Sequence, residues 1–156
     1  MIFIGLGSNQ GNREAYLQSA LDRLATQAVE IVRVSPWLET EPWGLTDQPA
    51  FLNGVCEVRF GGSAPELMQV LLDTEEALGR VRTQKWGPRT IDLDLLEFNR
   101  EIHDTGFLTL PHPWYTGREF VLDPLADLEP GWVPTGHRHT VTKLLEALRN
   151  PQPVQP

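Results

Sequence analysis

Apolar residues follow two rhythms that alternate along this chain. Ile2, Ile4 and Leu6 recur at every second position and predict a first strand over residues 1–6, closed by the turn "GSNQGN". The rhythm then changes. Tyr16, Leu17, Ala20, Leu21, Leu24 and Ala28 repeat at helical spacing, and Asn12 is placed to cap a helix that runs to about residue 27. "VEIVRVSPWLET" is β-rich, "EPWGLTDQP" breaks it, and "FLNGVCEVRF" predicts a strand that can pair with it as a long hairpin. Residues 64–78 form a second amphipathic helix, opened by Ser63 and Pro65 and stopped by Gly79, with Leu67, Leu71 and Leu78 on its apolar side. Residues 91–98, "IDLDLLEF", alternate again and predict a further strand.

The order β, α, β, β, α, β is that of a split βαβ unit, so the fold class is α+β: a ferredoxin-like sandwich with an antiparallel sheet. Helices on one face would leave the other open for a site. Beyond Phe98, "NREIHD" and "FLTL" predict an extra hairpin, "LPHPWYTGREFVLDPL" a loop entering a short helix, and "TVTKLLEALR" a last helix. The expected organisation is one catalytic domain over residues 1–150 and a flexible Pro/Gln-rich tail over 151–156.

The most informative stretch is "KWGPRTIDLDLLEF". On a strand, Ile91, Leu93 and Leu95 point one way while Asp92 and Asp94 share the other face, roughly 6.5 Å apart along the chain. An isolated pair of this kind is more often an ordinary solvated sheet face. Here Arg80, Arg82, Lys85 and Arg89 crowd beside it, in a chain of only 13 Lys and Arg against 21 Asp and Glu. Carboxylates that hold a divalent metal, flanked by cations, suit a polyphosphate, because metal bridges phosphate oxygens while guanidinium forks neutralise the rest.

Composition narrows the function further. A net charge of −8 argues against bulk nucleic-acid binding, which needs a broad basic face. No apolar run approaches the ~18 residues of a membrane span, and the apolar start lacks the basic segment of a signal peptide. With one cysteine, Cys56, no internal disulfide can form, which fits a reducing cytosol. A cytoplasmic monomer without nucleic-acid or membrane partners is expected. Cys56 is assigned to packing.

No Walker or kinase glycine loop is present, so phosphate must be held another way. "GLGSNQG" lacks the G-x-G-x-x-G spacing and is read as a structural turn. "GHRH", with His137 and His139, lacks cysteine or carboxylate partners at zinc-ligand spacing. His112 differs, because its loop "LPHPWYTGRE" also carries Arg118 and can lay an imidazole and a guanidinium along a polyphosphate.

Taken together and in order, "GLGSNQGN", "TEPWG", "DQPAFLN", "GRVR", "WGPRTIDLDLL" and "LPHP" resemble the 6-hydroxymethyl-7,8-dihydropterin pyrophosphokinase family of folate biosynthesis. The likeness runs from about residue 2 to about residue 148. It implies transfer of diphosphate from ATP to the pterin hydroxymethyl group, with release of AMP and use of two Mg²⁺ ions. By position, Asp92 and Asp94 resemble the shared metal ligands, and Arg80 and Arg89 the arginines that hold and stabilise the polyphosphate. Glu75, Arg82, Lys85, Trp86, Ile91, His112 and Arg118 fall at nucleotide positions. Thr40, Pro42, Trp43, Phe51, Asn53, Asp92 and Phe120 match the pterin pocket, where aromatic rings would sandwich a flat heterocycle and the Asn53 amide would meet its pyrimidine edge.

The chain departs from the pattern between "GRVR" and "WGPR". That loop is short, and Thr83 stands where a family lysine would be. Two rival readings of the Asp pair are a two-metal nuclease or nucleotidyl transferase and a ferredoxin-like nucleotide-sensing module. Acidic balance opposes the first, and the Asp pair itself opposes the second.

Overall fold

In the computed structural model, residues 1–41, 47–80 and 90–151 are described. Strand β1 (Ile2–Ser8) is buried along its whole length and occupies the middle of the sheet. It pairs antiparallel with β4 (Phe51–Arg59) on one side and β5 (Asp92–Phe98) on the other. The expected hairpin partner of β4 is one extended segment interrupted at Ser35 to Trp37, giving β2 (Glu30–Val34) and β3 (Leu38–Thr40), both paired with β4. The interruption has a polar clamp, because the Ser35 hydroxyl accepts the Val55 N–H at 2.9 Å. The sheet order β2-β4-β1-β5 is that of the ferredoxin-like sandwich, as the element order predicts.

Helices α1 (Arg13–Ala25) and α2 (Ala64–Ala77) cover one face. Asn12 caps α1 by accepting the Ala15 N–H, and Ser63 with Glu66 forms a full capping box on α2. Helix α1 stops two residues before the expected end, at Thr26, whose hydroxyl donates to the Arg23 carbonyl. Against these helices lie Ile2, Ile4, Leu6, Cys56, Val58, Ile91, Leu93 and Leu95, all buried. Complete burial of each Leu or Ile contributes about 1.5–3 kcal/mol relative to exposure.

The opposite face was expected to be open, and this needs correction. Strand β1 continues through Gly7 to Ser8, and Phe3, Val55 and Leu96 form a second apolar patch on that face. Helices α3 (Glu119–Leu128) and α4 (Val141–Arg149) cover the patch with Val121, Leu122, Leu125, Val141 and Leu145. Alternation along β4 puts Leu52 and Cys56 on one side and Val55 on the other, so both faces demand cover. The predicted hairpin is present as β6 (His103–Asp104) and β7 (Thr109–Leu110), and a 3-10 turn (Tyr115–Gly117) leads into α3.

Among the described residues, no helix is long and apolar enough to cross a membrane. The tail residues 152–156 lie outside the described residues, as do Pro42, Trp43, Arg82, Lys85, Trp86 and Arg89.

Candidate active site

Among the described residues strand β5 lies at the edge of the sheet, with no strand paired to one side of its backbone. Two elements satisfy it. From α2, the Glu75 carboxylate accepts the Leu93 N–H at 2.8 Å, and from the loop after β7 the His112 N–H donates to the Leu96 carbonyl at 2.9 Å. Glu75 is only 2% exposed and is therefore no solvated helix end. Arg80, just past the helix, compensates its charge by donating from Nη1 to Glu75 and also, at 2.8 Å, to Asp92 Oδ1. One guanidinium thus ties the end of α2 to the first aspartate of β5.

The register confirms the face assignment of the aspartates. Asp92 lies opposite Gly7 and Asp94 opposite Gly5, while Leu93 lies opposite Leu6 on the helix-covered side. Both carboxylates reach a cleft of about 210 Å³ lined by Met68, Leu72, Glu75, Arg80, Asp92, Leu93, Asp94, His112, Trp114 and Arg118. Burial pushes the His112 imidazole down to about 4, Arg118 depresses it further, and Asp92 pulls weakly the other way. It is therefore neutral near pH 7. Its Nδ1 accepts the Trp114 N–H at 3.4 Å, which leaves the proton on Nε2, 3.8 Å from Asp94 Oδ1. A donor, not a charge, faces the cleft.

Across β1 the same sheet face carries Asn53. Gly7 sits between Asp92 on β5 and Asn53 on β4. A Cβ at Gly7 would lie 2.6 Å from Asn53 Oδ1, so glycine is what lets the amide lie over β1. Asn53 is 8% exposed, and its Nδ2 donates to Thr40 Oγ1 at 2.6 Å. Phe51 flanks the position, and half-buried Phe120 packs with the cluster under α3. The Arg118 guanidinium carbon lies 5.6 Å from the Phe120 ring centre and 5.3 Å from that of Trp114. Arg118 therefore stands between the cleft residue Trp114 and Phe120.

Of the sequence candidates, Glu75, Arg80, Asp92, Asp94, His112 and Arg118 line one cleft, while Thr40, Phe51 and Asn53 adjoin Gly7 beside it. Ile91 is fully buried in the core, so any contact with a nucleotide would fall to its backbone. Pattern reading missed Met68, Leu72 and Trp114 on the cleft and Gly7 beneath the Asn53 amide. Met68, Leu72 and Glu75 at i, i+4 and i+7 share a face of α2, which is the signal that was available. In the "GSNQG" turn, Asn9 Nδ2 donates to Gln48 Oε1 and the Pro49 carbonyl.

Among the described residues no group of three or more His, Cys, Asp or Glu side chains gathers around a metal position. A two-carboxylate strand face suits Mg²⁺, which binds through one or two carboxylates and completes its shell with water and phosphate oxygens.

A ferredoxin-like sheet that ends in paired carboxylates beside a guanidinium-lined cleft puts this chain in the class of phosphoryl-transferring enzymes. A family model described as 7,8-dihydro-6-hydroxymethylpterin-pyrophosphokinase matches residues 3–130, and the chain belongs to that family. A 2-amino-4-hydroxy-6-hydroxymethyldihydropteridine pyrophosphokinase from Synechocystis sp. is 42% identical over 144 residues, 92% of this chain and 73% of that one. The enzyme of the same name from Bacillus subtilis is 46% identical over 127 residues, 81% of this chain and 76% of its own. By shape, the crystal structure of an HPPK-DHPS in complex with substrates matches 94% of this chain with a TM-score of 0.72 at 12% identity, a likeness of fold alone. This chain spans 42% of that longer one.

Proposed function

We infer that the chain is a pyrophosphokinase that transfers diphosphate from ATP to the hydroxymethyl group of 6-hydroxymethyl-7,8-dihydropterin in folate biosynthesis, releasing AMP. The observation that carries this reading is the position of Asp92. It faces Arg80 and the cleft on one side and, across Gly7, Asn53 on the other. Two substrates bound in the cleft and over Gly7 would meet at the aspartates.

In this reading the apolar strip of Met68, Leu72 and Trp114 takes the base, while Arg80, His112 and Arg118 take the polyphosphate. The neutral His112 donates from Nε2, which favours a phosphate oxygen without adding a charge. Arg82, Lys85, Trp86 and Arg89 are assigned to the same nucleotide by position, Arg89 with a catalytic role beside Arg80, and Ile91 through its backbone. The pterin lies over Gly7, with Asn53 meeting its pyrimidine edge, Thr40 orienting the amide, Phe51 and Phe120 against the ring, and Pro42 and Trp43 completing the wall. Asp92 and Asp94 would hold two Mg²⁺ ions with ATP, which when bound neutralise phosphate charge.

The pterin hydroxyl oxygen forms a bond to the β-phosphorus as the bond from that phosphorus to the α,β-bridging oxygen breaks, and AMP departs with that oxygen. The hydroxyl proton passes to solvent. Positioning and charge neutralisation provide the acceleration. The proposal takes residues 1–150 as one catalytic domain acting as a cytoplasmic monomer without nucleic-acid or membrane partners; the net charge of −8 and unpaired, buried Cys56 support it. Incubation with ATP, magnesium and the pterin should yield AMP and pterin diphosphate in equal amounts. ADP as the nucleotide product would overturn the reading.

A further inference from the structure

Glu97 is a buried carboxylate outside the cleft that the proposed reaction does not use. Strict alternation from Leu93 and Leu95 would put it among the helix-side apolar residues. A bulge prevents this: Leu95 pairs with Ile4 and Glu97 with Phe3, so Leu96 is the extra residue and Glu97 turns to the α3 side. There Glu97 Oε2 accepts from the Tyr115 hydroxyl at 2.5 Å and the Thr135 N–H at 2.9 Å, and Oε1 accepts from Thr135 Oγ1 at 2.7 Å. Burying a carboxylate is unfavourable even when it is well bonded, and an apolar side chain would fill the space without that penalty. What an apolar side chain lacks is direction.

We propose that Glu97, acting through the Tyr115 hydroxyl, is a positioning residue for the nucleotide: it latches the 3-10 turn and so sets Trp114 and Arg118 on the cleft. This rests on the reading of the cleft as the nucleotide site. Tyr115 is 1% exposed and begins the turn. The Arg118 N–H donates to the Tyr115 carbonyl at 3.2 Å, and the Gly117 N–H donates to the Trp114 carbonyl at 3.1 Å. Any rotation at Tyr115 therefore moves both cleft residues. The His112 backbone is held by its bond to Leu96, although its Nδ1 accepts from the Trp114 N–H, while Asn53 is held by its bond to Thr40, so the pterin side does not depend on the latch. Burial and the Glu97 carboxylate both push the Tyr115 hydroxyl up, which keeps it protonated as a donor.

Tyr115→Phe removes the hydroxyl and keeps the ring. Calorimetry with a non-hydrolysable ATP analogue and magnesium should show about tenfold weaker binding, while pterin affinity, measured separately, changes less than about twofold. A merely structural role predicts no coupling to Arg118, so Tyr115→Phe is repeated in an Arg118→Ala background. There the loss should shrink to less than about threefold. An undiminished tenfold loss in that background, or equal losses for both ligands, overturns the latch. An Arg118→Ala protein with unaltered nucleotide affinity overturns instead the nucleotide reading of the cleft, and the latch with it. Glu97→Gln retains an oxygen for Tyr115 and an amide for Thr135 Oγ1 and should bind nucleotide within about threefold of the parent, whereas Glu97→Leu should lose about tenfold. Equal affinity of these two variants refutes the proposal even if Tyr115→Phe does not fold.

Discussion

Gly7→Ala adds one methyl group to a strand, and its effect can be worked out from contacts alone. The backbone of Gly7 is not in the left-handed region, so alanine meets no conformational penalty there and the consequence is purely steric. The new Cβ would lie 2.6 Å from Asn53 Oδ1 and 3.6 Å from Phe51. The second contact is ordinary. The first is about an ångström too close, so the amide must turn away and its 2.6 Å bond to Thr40 Oγ1 breaks. A buried amide left without its partner costs about 1–3 kcal/mol, which in a chain of this size lowers Tm by roughly 3–10 °C. If Asn53 also recognises the pterin, binding of that ligand should weaken by about tenfold to a hundredfold, while nucleotide affinity stays near that of the parent. Gly5→Ala is the matched steric control, because the nearest atoms its Cβ would meet belong to the Leu96 side chain, at an ordinary 3.6 Å. Differential scanning fluorimetry and calorimetry with each ligand provide the readouts. A Gly7→Ala protein that binds pterin as tightly as the parent would refute the placement of the pterin over Gly7.

Asp94→Asn keeps the side-chain shape and removes a charge that hard cations need, so turnover should fall about a thousandfold, equivalent to roughly 4 kcal/mol of transition-state stabilisation. Its Tm without metal should stay within about 2 °C of the parent, and a stable, fully active variant would remove the metal role. For His112 the folded-state pKa of about 4 lies below the unfolded value near 6.5, so the unfolded chain binds its proton first as pH falls. Stability should therefore be fully present above about pH 6.5 and decline towards pH 4, by up to about 3 kcal/mol from this group. Denaturant melts of the parent and His112→Gln across that window test the sign, and identical pH slopes for the two proteins would contradict it.

Much of this architecture is legible in the chain because its determinants are local. A cap such as Asn12 or Ser63 acts within one helical turn, and the leucines around Asp92 and Asp94 assign the strand faces without knowledge of any partner. The Asp pair with its basic flank, and the motif series around it, likewise point to polyphosphate chemistry from sequence alone. Face cover was less legible. Val55 and Leu96 give a second apolar side to strands that local alternation assigns only one core face, and α3 and α4 from the far end of the chain bury it.

The site itself depends on tertiary structure. Gly7 acquires meaning only when antiparallel pairing sets it between Asn53 and Asp92, 46 and 85 positions along the chain. Glu75 is a helix residue in sequence, but it becomes a buried ligand of the β5 edge once α2 docks there. The clearest case is Glu97, whose face is reversed by one extra residue at Leu96. No periodicity can announce that bulge, because it is decided by which residue of β1 each residue of β5 finds as its partner. Periodicity encodes what near neighbours along the chain will do, whereas a site assembled from α2, β1, β4, β5 and the His112 loop requires distant segments to be brought into register by the packed core.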